Sequence, residues 1–341
     1  MRLWLASCVV AALCVVLSAG AQDPAPVAPV PALPPSFEEW LVALRAEAET
    51  RGIRPELLDR ALADLKPVDQ ILERDRTQAE FALDLDAYLR RRLTQRFVRT
   101  AQEMYTRHRT LVHRVADQYG INPRVLISVW GLESNFGRFA GVRPTIPALV
   151  TLAYDQRRGA MFRAELFDAL EIVNRGDIEL ERLKGSWAGA LGQPQFMPSS
   201  YLRFAQDFDG DGRRDIWSSQ PDVFASIAYY LQQHGWTAGQ AWGREVKIPV
   251  AARPHTKAMP LREEGCRAER MMTNPQPLTA WRKLGILTLA GTPLPASDIQ
   301  ASLVQNGSRA FLLYGNYQTL LDYNCAHTYA LSVALLADRL H

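Results

Sequence analysis

A lone acidic residue, Glu133, follows an apolar stretch whose spacing predicts a buried helix. Asn122-Pro123 supplies a helix cap followed by proline at the first helical position. The helix is expected to run through Val125, Val129 and Glu133 and to stop near Gly137. Residues four apart lie on one stripe of a helix, so Glu133 continues the buried face rather than the solvated one.

Burial of Glu133 has two interpretations. Desolvation raises the pKa of a carboxyl and favours the neutral acid, which is the form a general acid requires. Alternatively, a structural glutamate is satisfied by a backbone group or an arginine, because structural networks also perturb acids. The helical spacing alone leaves both interpretations open.

A glycine-rich stretch, Gly185–Pro198, is the second informative segment. Gly189 and Gly192 allow another backbone or a ligand to approach closely. Gln193 and Gln195 lie among apolar neighbours and are candidate hydrogen-bonding groups of a groove. A tightly packed turn explains the same pattern equally well.

An acidic segment, Asp207–Asp215, matches the first part of an EF-hand calcium loop. Oxygen-bearing residues occupy loop positions one, three, five and nine, and Gly212 occupies position six. Ser218 replaces the usual glutamate at position twelve, and Asp222 is the next carboxylate along the chain. Ser199 and Asp222 are predicted to cap the flanking helices. An acidic surface turn is the alternative, but clustered carboxylates favour a bound cation.

The N-terminus predicts export. Residues 1–21 combine Arg2, an apolar stretch and a small-residue cleavage site, which is typical of a cleaved signal peptide. The alternative, an uncleaved anchor, is disfavoured because the stretch is short for a membrane span. Lipoprotein anchoring is also disfavoured, because Cys8 comes too early and Cys14 follows a poorly fitting residue. Residues 22–36 form a proline- and alanine-rich linker that should be extended.

Charge and cysteine content narrow the class of protein further. The net charge is +3 and no block of one sign stands out, which argues against a nucleic-acid partner. Two cysteines remain after the predicted cleavage, Cys266 and Cys325. They either pair in an oxidising compartment or stay as separate thiols, because sequence does not supply the geometry of a disulfide.

The remaining pattern is mostly helical, with a small β-containing region towards the C-terminus. Helical periodicity is predicted from Phe37 and over Phe97–Tyr119, Val223–His234 and His327–Leu340. A strand is predicted over Glu245–Val250, and a hairpin is predicted from Ala301–Gln305 and Ala310–Tyr314 around Asn306-Gly307.

Together these segments resemble the B-type lytic murein transglycosylases, which have a lysozyme-like catalytic core. The resemblance rests on Val129–Gly137, Gly185–Gly192, Gln195–Tyr201, the Asp207–Asp222 loop and Asp322–Asn324. It implies a mainly α, α+β fold in which the core carries an EF-hand-like loop. The implied organisation is an N-terminal helical region (37–90), the core (91–245), a small α/β region (246–324) and a C-terminal helix (325–341).

The resemblance also implies a site. Glu133 falls on the catalytic position. The residues implied to contact substrate are Tyr88, Arg157, Arg158, Ser186, Gln195, Tyr230, Tyr323 and Asn324. Those implied to bind structural Ca²⁺ are Asp207, Asp209, Asp211, Arg213 through its carbonyl, and Asp222, which lies one residue further along than expected.

The implied activity is cleavage of peptidoglycan between N-acetylmuramic acid and N-acetylglucosamine, without water, to give 1,6-anhydromuramoyl ends. Glu133 would act first as acid and then as base, with no catalytic cofactor. The implied location is the periplasm, the partners are glycan strands, and cell-wall synthesis proteins are further candidates. A hydrolytic muramidase and a noncatalytic peptidoglycan-binding protein are the competing hypotheses.

Overall fold

Fifteen α-helices make up most of the described chain. The structure is a computed structural model that describes residues 35–77 and 85–341. The helices are α1 (Phe37–Thr50), α2 (Pro55–Ala61), α3 (Asp69–Thr77), α4 (Leu85–Arg92), α5 (Gln95–Arg107), α6 (Arg109–Tyr119), α7 (Pro123–Ser134), α8 (Thr145–Tyr154), α9 (Gly159–Asn174), α10 (Pro198–Phe204), α11 (Gln220–Gln233), α12 (Arg253–Lys257), α13 (Leu278–Lys283), α14 (Gly315–Tyr323) and α15 (His327–Ala337). The predicted signal peptide and residues 22–34 of the predicted linker lie outside the described residues.

Two small antiparallel sheets complete the fold. Strands β1 (Arg143–Pro144) and β2 (Lys184–Gly185) pair with each other. The larger sheet has the order β4-β6-β7-β3-β5. Its strands are β3 (Gly243–Lys247), β4 (Gln276–Pro277), β5 (Leu287–Thr288), β6 (Gln300–Asn306) and β7 (Arg309–Leu313). The mainly α prediction with a small β-containing region is therefore confirmed.

The larger sheet separates two hydrophobic clusters, because alternate side chains of a strand face opposite ways. On β7, Phe311 belongs to the large cluster that fills the helical part, whereas Leu312 belongs to a smaller cluster. Trp281 of α13 is fully buried in that smaller cluster. Contacts join Phe37–His341 into one compact unit. The boundaries at 90/91, 245/246 and 324/325 stay predictions.

Several local predictions need correction. The stretch Phe97–Tyr119 is two helices, because the chain turns at His108, whose ring lies edge-on to Trp130 with ring centroids 5.4 Å apart. Ser199 does not cap α10, since that helix starts at Pro198 and the Ser199 hydroxyl bonds to Glu165.

None of the helices in residues 35–77 and 85–341 is both long and apolar enough to cross a bilayer.

Candidate active site

Glu133 lies in the last turn of α7, in which nine of the twelve residues are buried. The Asn122 side chain accepts a hydrogen bond from the Arg124 amide at 3.0 Å, as predicted for a helix cap. Asn135 ends the helix in the left-handed conformation, with φ 50°. Contacts with α5, α6, α11 and α15 surround α7. The catalytic candidate therefore lies on a helix that packing holds from several sides.

Burial dominates the electrostatics of Glu133. Its side chain keeps some solvent exposure, yet the surrounding protein desolvates the carboxyl and raises its pKa to about 7. The Tyr329 hydroxyl and, more weakly, the Arg92 guanidinium oppose that shift by favouring the charged form. The Tyr329 hydroxyl is buried and makes no well-formed hydrogen bond. The carboxyl is thus poised to gain or lose a proton near neutral pH.

Four aromatic rings form a cluster next to this carboxyl. Ring centroids of Tyr230 and Tyr323 are 4.7 Å apart, and those of Tyr323 and Tyr329 are 6.3 Å apart. Phe196 lies 5.6 Å from Tyr230 and 6.0 Å from Tyr323. Burial raises the pKa of Tyr323 well above its usual range, and the charge of Glu133 adds to that rise. Tyr230 and Tyr323, both predicted from sequence, therefore belong to the surroundings of Glu133.

The glycine-rich stretch contacts the same cluster. The Tyr323 hydroxyl donates to the Pro194 carbonyl at 2.8 Å. Gln195 follows in a left-handed conformation, with φ 55°, and its side-chain amide donates to the Gly192 carbonyl at 2.8 Å. The Ser186 hydroxyl accepts from the Ala190 amide at 3.1 Å and so closes the turn that precedes Gln195. Ser186 and Gln195 are thus held by their own loop beside the aromatic cluster.

Gln193 is a structural residue, so the tightly packed turn is the correct interpretation at this position. It is only 3% exposed. Its side-chain oxygen accepts from the Trp130 indole at 2.6 Å, and its nitrogen donates to the Trp217 carbonyl at 2.8 Å. Both ends of the amide are therefore bonded, one to α7 and the other to the segment before α11, as expected of a buried polar side chain.

Arg157 and Arg158 are anchored elsewhere in the described chain. Both guanidinium groups bond to the carboxylate of Asp75, which is only 7% exposed. Neither is hydrogen-bonded to Glu133 in residues 35–77 and 85–341. Tyr88 lies half-buried on α4, and Asn324 is exposed at the end of α14, directly after Tyr323. Asn324 is therefore next to the aromatic cluster in sequence. Within the described residues, no hydrogen bond or ring contact joins Tyr88, Arg157 or Arg158 to that cluster.

The acidic loop is a separate group of carboxylates. Oxygen atoms of Asp207, Asp209 and Asp211 lie within 4.8 Å of one another, and all three residues are exposed. Backbone amides of Gly210 and Gly212 donate to Asp207 at 2.7 and 2.9 Å, which fixes the loop as a tight turn. Three adjacent carboxylates of this kind can hold a divalent cation.

Asp222 has a different role from the predicted helix cap. Ser219 caps α11, and the helix starts at Gln220. The Asp222 carboxylate is buried and accepts from the amides of Phe208 and Asp215, both at 2.8 Å. Asp222 therefore ties the two ends of the acidic loop together. Each of its oxygens retains a lone pair that a metal ion can use.

Cys266 and Cys325 form a disulfide with their Cα atoms 6.3 Å apart. Cys325 follows Asn324, in the turn between α14 and α15, so the bond connects this turn to the segment before Met272. The Cys266 amide bonds to Glu269, and Glu269 accepts from Gln318 of α14 at 2.5 Å. The turn that follows Tyr323 is thus held by one covalent bond and by hydrogen bonds.

Sequence reasoning missed two residues next to Glu133, Arg92 and Tyr329, and it missed Asp75 as the partner of the predicted Arg157 and Arg158. Tyr329 carries a detectable signal, because it lies on the same stripe as Val333 in a mainly apolar helix, much as Glu133 lies on the same stripe as Val129 in α7. Arg92 lies in a run of three arginines that reads as a solvated face. Asp75 pairs with Arg157 and Arg158, which follow it by more than eighty positions, so no local sequence pattern indicates the pairing.

Comparison with known proteins places this arrangement in a family. The family model described as "Transglycosylase SLT domain" matches residues 36–338. The chain is 29% identical over 252 residues to membrane-bound lytic murein transglycosylase B of Escherichia coli, covering 72% of this chain. The matched part spans 64% of that curated relative's length.

Solved structures of similar fold agree with this match. SltB3 from Pseudomonas aeruginosa, in complex with NAG-anhNAM-pentapeptide, is 38% identical with a TM-score of 0.80, covering 89% of this chain and 79% of that one. Soluble lytic transglycosylase SltB1 of the same organism is 26% identical with a TM-score of 0.76, covering 88% and 97%. A family model that spans most of the chain leads to one conclusion: the protein belongs to the transglycosylase SLT domain family.

Proposed function

We propose that this chain is a peptidoglycan lytic transglycosylase that cleaves the β-1,4 bond between N-acetylmuramic acid and N-acetylglucosamine. Family membership supports this function, as does the relative SltB3, which was solved with an anhydromuramoyl peptide. The observation that carries the proposal is the pKa of Glu133, raised to about 7 by burial. An acid with that pKa is substantially protonated at neutral pH and can donate its proton.

A single carboxyl is enough for both halves of the reaction. Glu133 donates its proton to the glycosidic oxygen as the bond between that oxygen and C1 breaks. The carboxylate then takes the proton of the muramoyl 6-hydroxyl, whose oxygen bonds to C1. The products are a free 4-hydroxyl and a 1,6-anhydro ring, Glu133 regains its proton, and no water is consumed. Ordinary glycosidases need two carboxyls. Among the described residues, the side chains that shift the pKa of Glu133 are Tyr329 and Arg92, and neither is a carboxyl.

The residues around Glu133 are proposed to hold the glycan strand. Tyr230 and Tyr323 are proposed to contact sugar rings; Tyr323 is half-buried and Tyr230 is buried beside it, so Tyr323 would present the larger aromatic surface. Ser186, Gln195 and Asn324 offer polar groups beside them. Tyr88 is proposed as a further contact, and Arg157 and Arg158 are proposed to meet substrate carboxylates with the N–H groups that Asp75 leaves available. These assignments predict that replacing the side chains raises KM.

Product mass tests the proposed reaction directly. Purified sacculi digested by the enzyme should release muropeptides with anhydro ends, which are lighter by one water than the reducing ends a muramidase makes. Glu133→Gln should abolish release while sacculus binding is retained. Reducing ends would establish the muramidase instead. Binding by the wild type without any cleavage would establish the noncatalytic binding protein.

The acidic loop is proposed to be EF-hand-like and to hold structural Ca²⁺. The donor set fits, because Asp207, Asp209 and Asp211 converge and hard oxygen ligands suit calcium. Asp222 and the Arg213 carbonyl are the proposed remaining ligands. A bound ion would neutralise the repulsion within the loop and hold the start of α11. None of its ligands needs to take part in proton transfer at Glu133.

Export to the periplasm is proposed from the signal-like N-terminus and from the location of the polymer. Glycan strands are the proposed partners there, with cell-wall synthesis proteins as further candidates. Processing after Ala21 can be checked by N-terminal sequencing of protein from the periplasmic fraction. Retention of Met1 in protein from that fraction would contradict cleavage.

A further inference from the structure

A groove beside the larger sheet gathers exposed apolar side chains that the proposed function leaves unexplained. Eight large hydrophobic residues are exposed in the described chain, and four of them line this one groove. They are Val250, Leu261, Met271 and Leu289, with exposed fractions of 74%, 53%, 53% and 49%. Exposed apolar side chains that cluster inside a polar rim mark interaction sites.

The groove is concave and its floor belongs to the sheet. Val246 of β3, Leu303 of β6 and Ala310 of β7 contribute to that floor, and Met259 lies at its side. The volume is about 1250 Å³, which is larger than most small-molecule pockets. A space of this size and shape accommodates a segment of polypeptide, whereas a flat bilayer surface would not reach its floor.

The rim of the groove is cationic. Lys247, Arg253 and Lys257 are exposed there, and none of them forms an ion pair within the described residues. In the part of the lining that the structure describes there is one carboxylate, Glu245, and it accepts two hydrogen bonds from Arg309 at 2.6 and 2.7 Å, which neutralise its charge. The rim therefore presents uncompensated positive charge, which favours an occupant with carboxylates.

The lining also argues against a sugar strand as occupant. Among the described residues, the lining contains no phenylalanine, tyrosine or tryptophan, so these residues offer no aromatic face for a sugar ring. Its two methionines, Met259 and Met271, are flexible side chains of the kind that adapt to apolar peptide residues. This chemistry is distinct from that of the tyrosine-rich surroundings of Glu133.

We propose that this groove docks a segment of a partner protein in which apolar side chains enter the floor and flanking carboxylates meet the rim. The site is separate in its residues from the proposed catalytic machinery. It gives the enzyme a place to attach to another protein while Glu133 acts on the glycan. Docking at this site does not depend on the identity of the reaction.

Peptide binding tests the proposal. The probe is a fluorescein-labelled 12-residue peptide of leucine and glutamate, and a counter-probe has lysine in place of glutamate. The full-length mature protein should bind the acidic probe at least tenfold more tightly than the basic one. The double variant Arg253→Glu/Lys257→Glu should weaken acidic-probe binding about tenfold or more, and Val250→Ser should also weaken it.

The matched control reverses two exposed charges of α5, Arg96→Glu and Arg99→Glu, and should bind the probe like the wild type. All variants should cleave sacculi at the wild-type rate, so a failed docking test leaves the proposed reaction untouched. Absence of acidic-probe binding, equal binding of both probes, or equal loss in the control would overturn the proposal. So would displacement of the probe by anionic phospholipid vesicles, since that outcome assigns the surface to membrane.

Discussion

The carboxyl of Glu133 and the three carboxylates of the acidic loop differ chiefly in how far each is exposed to solvent. Glu133 is surrounded by helices and tyrosines, and desolvation raises its pKa to about 7. Asp207, Asp209 and Asp211 are exposed on a tight loop, where their oxygen atoms converge within 4.8 Å. The same functional group is thus suited to proton transfer in one place and to cation binding in the other. The comparison teaches that environment, rather than residue type, assigns the role.

The largest expected effect that separates the two groups is on catalysis. Glu133→Gln keeps the shape of the side chain but removes the proton, so cleavage of sacculi should fall by about 10³-fold or more, the range of general acid–base catalysis. Glu103→Gln, on the exposed face of α5, is the matched control and should leave the rate unchanged. Release rates measured by chromatography decide the matter, and a Glu133→Gln enzyme with more than a tenth of the wild-type rate would contradict the assignment.

The second effect is on stability as a function of pH. The pKa of Glu133 is about 7 in the folded protein and 4.5 ordinarily, so the folded state holds a proton that the unfolded chain has already lost. The contribution of Glu133 to the free energy of unfolding is therefore largest below pH 4.5 and is lost as the pH rises through about 7. At roughly 1.4 kcal/mol per pKa unit, and allowing for partial exposure, the decline is about 1–3 kcal/mol.

Glu133→Gln supplies the control for that pH effect. The variant should be less active but more stable than the wild type at pH 8, because it buries no carboxylate. Denaturant unfolding at pH 5 and pH 8 measures the difference. Equal dependence on pH in both proteins would show that Glu133 does not carry the linkage.

The third effect belongs to the acidic loop. Calcium at 100 times its Kd should stabilise the folded protein by about 2.7 kcal/mol and raise its Tm. Asp207→Asn/Asp209→Asn should abolish that rise, and without calcium it should be at least as stable as the wild type because repulsion is relieved. Thermal unfolding with calcium and with chelator is the measurement. A wild-type Tm that does not change with calcium would show that the loop is an acidic turn without a bound ion.

The smallest effect concerns the pH profile. Because activity requires protonated Glu133, kcat/KM should fall as pH rises through about 7. The Tyr329 hydroxyl lowers that pKa, so Tyr329→Phe should move the falling limb to higher pH. Tyr314→Phe, which removes a hydroxyl bonded to Arg244, is the control and should leave the limb in place. Movement to lower pH in Tyr329→Phe would contradict the assignment.

Local patterns predicted much of the fold and the centre of the site. The cap at Asn122 and the spacing from Val125 to Glu133 located α7, because helix starts and buried stripes are set by neighbours in sequence. The hairpin was also predicted, although the strands extend to Asn306 and Arg309 and place the turn one residue later. Such features need no information from distant parts of the chain.

Features that depend on distant partners were not predictable. Asp222 was predicted to be a helix cap because acidic residues are common near helix starts. In the structure its two oxygens accept hydrogen bonds from the amides of Phe208 and Asp215 instead. The sequence left Gln193 either in a groove or in a packed turn, and its hydrogen bond with Trp130 decides for the turn. The charge pair between Arg157 and Asp75 crosses 82 residues. In each case a tertiary contact, rather than local spacing, decides what a side chain does.

The protonation of Glu133 is the claim on which the proposed reaction depends, and ¹³C NMR of its carboxyl carbon measures it directly. With Glu133→Gln used to assign the signal, titration of the wild-type protein should show this carboxyl ionising near pH 7. Ionisation near the ordinary value of 4.5 would contradict the account, because the residue would then be a carboxylate throughout the neutral range and have no proton to give.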